Sequence, residues 1–221
     1  MPDYTGPDLG SVALISIDLQ HDVLDGQAYE IAGTSAAASA TVRLADAFRA
    51  AGRPIVHIVR LYRADGSNAD LCRRGAIEQG AKLLISGTPG AEIAAGIVPE
   101  GPRLDAEQLL SGGIQTLGRD EVAIYKPRWG AFFGTPLEEY LRDLGVLTLV
   151  FCGCNFPNCP RTSIYEASER DFRVVLAEDA ISGLYDRGRD ELRNIGVQLM
   201  ASEEITASLE ATAATTGSGA L

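Results

Sequence analysis

The sequence predicts an α/β fold with a mainly parallel, doubly wound sheet. Short apolar segments rich in β-branched residues alternate with longer segments of helical periodicity, as in strand–helix–strand units. Right-handed crossovers between parallel strands place helices on both faces of such a sheet. The predicted strands are residues 12–18, 54–60, 121–126, 148–153 and 173–179. The predicted helices are residues 35–51, 136–144, 161–170 and 186–200.

Each element has a local signal in the chain. Residues 12–18 form a nearly unbroken apolar run, which is typical of a strand buried on both faces. The alanine-rich helix after it is closed by Gly52, and helix 136–144 is closed by Gly145. Strand 148–153 is followed by Pro160, which suits the first position of a helix.

Length and composition indicate one domain. A chain of 221 residues with 46% hydrophobic residues can bury a single substantial core, which we assign to residues 1–202. Residues 62–118 interrupt the alternation with charged residues and glycines, and we expect them to cross the rim of the sheet and cover a substrate. Residues 203–221 are rich in Ala, Thr, Ser and Gly and are predicted to form a flexible tail.

The charge of the chain excludes some partners. A formal charge of −11 disfavours nucleic acids and anionic membrane surfaces. The first residues lack the features of a signal peptide, and no apolar run approaches the roughly 20 residues of a membrane span. These observations predict a cytoplasmic protein that acts on a small molecule.

The four cysteines are predicted to be reduced thiols. Cys152, Cys154 and Cys159 crowd one strand end, and the first two share a strand face, where neighbours rarely bridge. Their spacing is not that of a zinc site, and the chain has only two histidines. We therefore expect no metal and no cofactor.

Three polar residues stand where predicted strands end. Asp18 ends the first strand, Lys126 ends strand 121–126, and Cys159 follows strand 148–153. Parallel strands finish at one edge of the sheet, so the three side chains should converge there. Lys126 and Lys82 are the only lysines in a chain that otherwise uses arginine. Taken singly, each residue has an ordinary explanation: a loop cap, a solvated strand end and a buried thiol.

Together the three residues suit acyl transfer. A cysteine attacks a carbonyl carbon, a carboxylate carries the proton to the leaving amine, and a cation holds the pair ionised. The start of a helix after Cys159 would favour thiolate, and backbone N–H groups there would stabilise an oxyanion.

At these residues the sequence resembles the isochorismatase-like cysteine hydrolase superfamily, in its cysteine amidohydrolase branch. Ile15-Ser-Ile-Asp18-Leu-Gln20 is similar to the family's first-strand motif. Lys126-Pro-Arg-Trp129, followed by Gly134-Thr-Pro-Leu137, is similar to its lysine segment. Gly153 precedes Cys159 by six residues, as in the family's nucleophile segment. The resemblance extends over residues 11–200.

The resemblance implies a fold and a mechanism. The fold would be a three-layer α/β/α sandwich with a six-stranded sheet, in a homo-oligomer (dimer or tetramer). Asp18, Lys126 and Cys159 would hydrolyse a small amide, ureido or lactam C–N bond through a thioester. Cys154–Asn155 would be a cis peptide, with the N–H groups of Asn155 and Cys159 forming the oxyanion hole.

The substrate pocket is harder to assign. Residues 155–158, Asn-Phe-Pro-Asn, depart from the family pattern, so the substrate is not transferable. Core packing is the alternative for Trp129, Phe132 and Phe133, and a loop-start polar role is the alternative for Gln20. The pocket candidates are Gln20, Tyr62, Arg63, Trp129, Phe132 and Phe156.

Other functions are considered beside the leading one. A thiol-redox sensor would use Cys152, Cys154 and Cys159, but it leaves Asp18 and Lys126 unexplained. Within the family, isochorismatases proper lack the cysteine, and the nicotinamidases' metal site is not matched after strand 54–60. A dinucleotide-binding module would need Gly-x-Gly-x-x-Gly after the first strand, and this chain lacks it.

Overall fold

A computed structural model describes residues 3–99 and 103–217 of the chain, with side chains through residue 212. Over these residues the chain forms seven strands and seven α-helices. The strands are β1 (Val12–Ile17), β2 (Ile55–Val59), β3 (Ile114–Gly118), β4 (Glu121–Tyr125), β5 (Thr148–Gly153), β6 (Arg173–Ile181) and β7 (Gln198–Met200). The helices are α1 (Thr34–Ala50), α2 (Leu71–Glu78), α3 (Ala106–Leu110), α4 (Leu137–Asp143), α5 (Cys159–Ser168), α6 (Asp186–Asn194) and α7 (Ser202–Gly217).

The strands form one sheet in the order β3-β4-β2-β1-β5-β6-β7. All neighbouring strands are parallel except β3 and β4, which form an antiparallel pair at one edge. The chain winds from β1 towards β4 and then, from β5, in the opposite direction, so the winding reverses between β1 and β5. The predicted doubly wound α/β class is confirmed.

Along the central strands, successive side chains point alternately into two apolar cores on opposite faces of the sheet. Ile15 and Ile17 face one core, which packs against α4, α5 and α6, whereas Val12 and Leu14 face another, which packs against α1 and α7. The result is the predicted three-layer sandwich. A third apolar cluster lies under the excursion and joins α2 and α3 to the sheet rim.

The sheet has seven strands where six were expected. The edge strand β3 lies inside the irregular excursion, where a short segment with alternating burial gave no clear apolar run. The segment predicted as helix 186–200 divides into α6 and β7, because Gly196 adopts a positive φ of 84° that ends the helical path. Three residues of β7 then pair with β6.

The flexible tail predicted from residue 203 is wrong over the part that the structure describes. Residues 202–217 form α7, and Ile205 and Leu209 are buried against α1 and the sheet. These two residues lie four apart and form a narrow apolar stripe, which the Ala- and Thr-rich composition concealed. Residues 218–221 lie outside the described residues. No helix in the described ranges is long and apolar enough to cross a membrane.

A buried polar chain links three strands to α1. Ser16 Oγ and His57 Nδ1 are hydrogen-bonded at 2.7 Å, and His57 Nε2 donates to Glu121 Oε1 at 2.8 Å. Arg49 of α1 donates to both carboxylate oxygens of Glu121, from Nε to Oε2 at 2.9 Å and from Nη2 to Oε1 at 2.8 Å. Burial alone would raise the pKa of Glu121, but the hydrogen bonds from Arg49 and His57 outweigh it and lower that pKa to about 2.

Glu121→Gln should therefore destabilise the fold in a pH-dependent way. The folded pKa of about 2 lies below the ordinary value of 4.5, so the carboxylate stabilises the fold above pH 4.5 and less as pH falls towards 2. At pH 7 we expect the substitution to lower the free energy of unfolding by about 2 kcal/mol. Urea titrations at pH 7 and pH 3 measure the change. The difference in the free energy of unfolding between the variant and the wild type should be smaller at pH 3 than at pH 7. An equal difference at both pH values would contradict the lowered pKa of Glu121. The exposed Glu139→Gln is the control.

The end of β5 requires a glycine. Gly153 has φ of 126°, and a Cβ atom there would lie 2.2 Å from the carbonyl oxygen of Ile17 on the neighbouring strand. We predict that Gly153→Ala lowers the free energy of unfolding by about 3 kcal/mol, since it adds a backbone clash to a strained dihedral. Gly52→Ala is the matched control, because Gly52 also has positive φ but open space around it. It should cost only about 1 kcal/mol, and equal losses in denaturant titrations would refute the steric explanation.

Candidate active site

The three residues predicted from strand ends meet at the carboxyl edge of the sheet. Asp18 directly follows β1, Lys126 directly follows β4, and Cys159 is the first residue of α5 after β5. Strands β1 and β5 are neighbours, and the winding reverses between them. Open α/β sheets form their ligand crevices at such a switch point.

Asp18 and Lys126 form a buried ion pair. Lys126 Nζ donates to Asp18 Oδ2 at 2.7 Å, Lys126 is fully buried, and Asp18 is 7% exposed. Strand β2 lies between the strands that carry them, so the pair bridges two interstrand spacings, about 9.5 Å in total. A long side chain is needed to cover that distance, which explains a lysine here.

Asp18 is held in a constrained geometry. Its φ is 51°, in the left-handed region that non-glycine residues seldom occupy, and its N–H donates to Ile58 O at 2.9 Å. The second carboxylate oxygen, Oδ1, is buried and receives no hydrogen bond from any described residue. The carboxylate therefore keeps one oxygen available to accept a proton.

Cys159 is a protonated thiol in this arrangement. Burial, followed by the negative charge of Asp18, raises the pKa of Cys159 to about 12, while Lys126 and Arg60 act in the opposite direction. The expectation that the helix start would favour thiolate is thus outweighed by burial and a neighbouring carboxylate. The thiol holds its proton beside a carboxylate that can take it.

The turn between β5 and α5 leaves two backbone donors uncommitted. Within the described chain, no acceptor takes a hydrogen bond from the N–H of Asn155 or of Cys159, and both residues line the pocket described below. The other N–H groups of the turn are used: Cys154 N donates to Ile17 O, Phe156 N to Ser182 O, and Asn158 N to Asn155 O. The two free donors are those expected to form an oxyanion hole.

The expected cis peptide is wrong, because the Cys154–Asn155 bond is trans. The preceding residue, Gly153, takes a φ of 126°, and the Cys154 N–H remains bonded to β1 through Ile17 O at 2.9 Å.

The segment after Lys126 is hydrogen-bonded to α5 one turn after Cys159. Ser163 Oγ donates to Cys159 O at 2.7 Å and accepts from Ala131 N at 3.0 Å. Glu166, one turn further on, accepts from Phe132 N at 2.9 Å. These contacts couple the position of Cys159 to the loop that follows Lys126.

A pocket of about 450 Å³ opens over the thiol. Its walls come from the β1–α1 loop, the end of β2, the excursion, Trp129 and the β5–α5 turn. The lining residues are Asp18, Val23, Ala28, Tyr29, Glu30, Ile31, Arg60, Tyr62, Arg73, Leu83, Leu84, Trp129, Cys154, Asn155, Asn158 and Cys159.

Two of the six pocket candidates line this pocket, Tyr62 and Trp129. Arg63 is exposed outside it. Phe132 packs against Phe172 with ring centroids 5.9 Å apart, and Phe156 is fully buried in the core. Phe132 thus follows the core-packing alternative, and Phe156 is a core residue too, because both side chains belong to the apolar layer under α5.

Gln20 also lies outside the pocket and is a structural residue. Its Nε2 donates to Arg60 O at 2.9 Å and to Ala91 O, and its Oε1 accepts from Arg60 N at 2.9 Å. The amide thus acts like a piece of backbone that extends the sheet. It fixes the end of β2 and with it the position of Arg60.

Sequence reasoning missed two arginines and their partners. Arg60 ends the predicted strand 54–60, so the rule that singled out Asp18 could have found it. In the structure it is buried, with Nη1 donating to Asp70 Oδ1 at 3.4 Å. Tyr62 donates to the other oxygen of Asp70 at 2.8 Å. Arg73 lies in the excursion, residues 62–118, where no sequence periodicity indicated which side chains would face the pocket.

The other cysteines do not form a redox pair with Cys159. All four cysteines are free. Cys152 points into the core on the opposite face of the sheet, and burial raises its pKa to about 12. Burial also raises the pKa of Cys154, to about 11. These environments do not favour the thiolate that a redox sensor needs.

The residues after β2 do not fit a metal site. The buried guanidinium of Arg60 occupies the pocket wall there, and its positive charge opposes a bound cation. Among the described residues, no three His, Cys, Asp or Glu side chains are grouped as metal ligands.

The family model of the isochorismatase domain matches residues 12–204. A probable inactive nicotinamidase of Arabidopsis thaliana is 27% identical over 195 residues, covering 85% of this chain and 91% of that protein. The ureidoacrylate amidohydrolase RutB of Azorhizobium caulinodans is 26% identical over 183 residues, covering 76% and 74%. A crystal structure of an isochorismatase family protein from Desulfovibrio vulgaris superposes with a TM-score of 0.76 at 31% identity, covering 90% and 98%.

The electrostatics of the site predict the behaviour of the thiol in a variant. Asp18 raises the pKa of Cys159 through its charge, so Asp18→Asn should lower the pH at which Cys159 becomes reactive. We expect the midpoint of iodoacetamide alkylation, followed by peptide mass analysis, to fall by about one pH unit or more. Asp143→Asn, on the exposed surface of α4, should leave the midpoint unchanged. A midpoint that stays or rises in Asp18→Asn would show that Asp18 does not face the thiol.

Proposed function

Because the chain belongs to the isochorismatase family, we propose that it is a cysteine-dependent hydrolase. Its reaction would cleave the C–N bond of a small amide, ureido or lactam substrate through a thioester. The observation that carries the proposal is a thiol placed beside a buried Asp–Lys pair, under a pocket with two uncommitted N–H groups.

The first half of the reaction forms the thioester. Asp18 Oδ1 takes the proton of the Cys159 thiol as Sγ attacks the substrate carbonyl carbon. The N–H groups of Asn155 and Cys159 stabilise the negative oxygen that develops. The C–N bond then breaks, and the proton on Asp18 passes to the leaving nitrogen. Lys126, which donates to Asp18 Oδ2 at 2.7 Å, limits repulsion between the carboxylate and the attacking sulfur.

The second half uses water. Asp18 takes a proton from a water molecule as its oxygen attacks the thioester carbon, and the proton returns to sulfur when the C–S bond breaks. The net reaction consumes one water and releases an acid and an amine. The high pKa of Cys159 suits this sequence, because a proton that resides on sulfur can be carried to the leaving group.

The pocket and the relatives support a small substrate. A volume of about 450 Å³ lies within the range of small-molecule sites. RutB, one of the relatives, is named for hydrolysis of a ureido compound, which is within the proposed substrate class. The buried ion pair and the absent metal-ligand group among the described residues favour the cysteine mechanism over a metal-dependent one.

Cys159→Ala tests the proposal directly. Incubation with a panel of small amides and ureas should release ammonia or amine from the wild type, with an acyl adduct on Cys159 detected by intact mass. The variant should show neither, with a loss of roughly 10⁴-fold or more in kcat. Cys72→Ala, which removes an exposed cysteine, should keep full activity. Hydrolysis that persists in Cys159→Ala would rule out this mechanism.

A further inference from the structure

The pocket wall contains an arginine without an acidic partner. The other buried charges there are paired: Lys126 with Asp18 at 2.7 Å, and Arg60 with Asp70 at 3.4 Å. Across the described residues, the Arg73 side chain makes neither a hydrogen bond nor an ion pair. Its guanidinium lies over the aromatic ring of Trp129.

That contact fixes the guanidinium in the pocket. Arg73 Cζ lies 5.5 Å from the ring centroid of Trp129, and Arg60 Cζ lies 5.9 Å from the same centroid. A guanidinium attracted to the face of a ring uses none of its N–H donors in that contact, so they remain free to donate. A planar fork with free donors matches a carboxylate.

The surroundings make an uncompensated charge costly. Arg73 is half-buried, and the pocket it lines is also walled by apolar side chains such as Leu83, Leu84 and Ile31. The acid Glu30 lies on the same pocket but is exposed and accepts a hydrogen bond from Gly26 N at 2.7 Å, so it is tied to its own loop. A partly desolvated cation with unused donors is stabilised when an anionic ligand binds.

The net charge of the protein makes a local cation necessary for such a ligand. A charge of −11 repels anions at long range, but salt screens this beyond about 8 Å. Within the pocket, Lys126 and Arg60 are paired with acids, and the remaining acid, Glu30, is exposed and bonded to its own loop, so Arg73 is the partly buried cation that is open to a ligand.

We propose that the pocket selects substrates bearing a carboxylate, which Arg73, over the ring of Trp129, binds while Cys159 attacks the carbonyl carbon of the same molecule. This rests on the proposed hydrolase function. It assigns Arg73 to substrate binding and specificity and gives it no part in the covalent steps.

Kinetics with matched substrates test the selectivity. Succinamate and N-carbamoylglycine carry a carboxylate, and 4-methylpentanamide and isobutylurea replace it with an isopropyl group of similar size. The wild type should prefer the anionic member of each pair in kcat/KM. Arg73→Gln should lower kcat/KM for the anionic substrates about 10- to 100-fold, mainly through KM, and leave the neutral ones unchanged. Arg73→Lys should recover part of the loss.

The exposed Arg63→Gln is the matched control for loss of one positive charge, and it should change none of these values. The proposal would be overturned if Arg73→Gln lowered kcat/KM equally for anionic and neutral substrates, or if the wild type did not prefer the anionic substrates. The hydrolase function would stand in either case.

Binding can be followed without turnover. Trp129 is the only tryptophan in the chain, so its fluorescence reports ligands that reach Arg73. In Cys159→Ala, succinamate should change the fluorescence with a Kd that rises about 10-fold or more when Arg73→Gln is added. A Kd for succinamate that is unchanged by Arg73→Gln would refute the carboxylate site. Saturation that depends on Arg73, in a protein that hydrolyses no member of the panel, would refute the hydrolase function instead.

Discussion

The buried ion pair between Asp18 and Lys126 is the interaction on which the site depends. Each charge would be costly alone in this position, and neither can be moved or shortened without leaving the other unpaired. Since β2 separates the two strands, the pair also fixes the relation of β1 to β4 at their carboxyl ends. The spacing of the sheet thus specifies a lysine, and the lysine holds the Asp18 carboxylate beside the thiol.

Burial and the Asp18 carboxylate explain why the helix start at Cys159 does not produce a resting thiolate. Helix dipoles contribute about 0.3–1 kcal/mol near the surface, whereas burial and an adjacent carboxylate act on Cys159 together in the opposite direction. A nucleophile that stays protonated until substrate arrives is also protected from alkylation and oxidation, which require thiolate. The raised pKa is therefore compatible with catalysis when the base is already in contact range.

Strand ends were predictable from the sequence, and the paths between them were not. The apolar strands before Asp18, Lys126 and Cys159 pair in parallel. Their carboxyl ends therefore lie at one edge of the sheet for any conformation of the loops. Gln20 lies two residues after Asp18, yet its amide completes the sheet, because a buried strand end needs backbone-like partners. Strand β3 and Arg73 lie in the excursion, where tertiary contacts rather than periodicity decide the conformation. The short strand β7 was missed because three residues carry too little pattern.

This division separates reaction from specificity. Asp18, Lys126, Cys159 and the two N–H donors are held by β1, β4, β5 and the start of α5, where shifts of the backbone would break pairing within the sheet. The charged and aromatic wall opposite them comes from the β2 end and the excursion, which pack against the rim in a separate apolar cluster. The excursion residues of that cluster, such as Leu83 and Leu84, belong to other elements than Asp18 and Lys126. In the proposed reaction, the sheet would therefore set which bond is cleaved, and the excursion would set which molecule carries that bond.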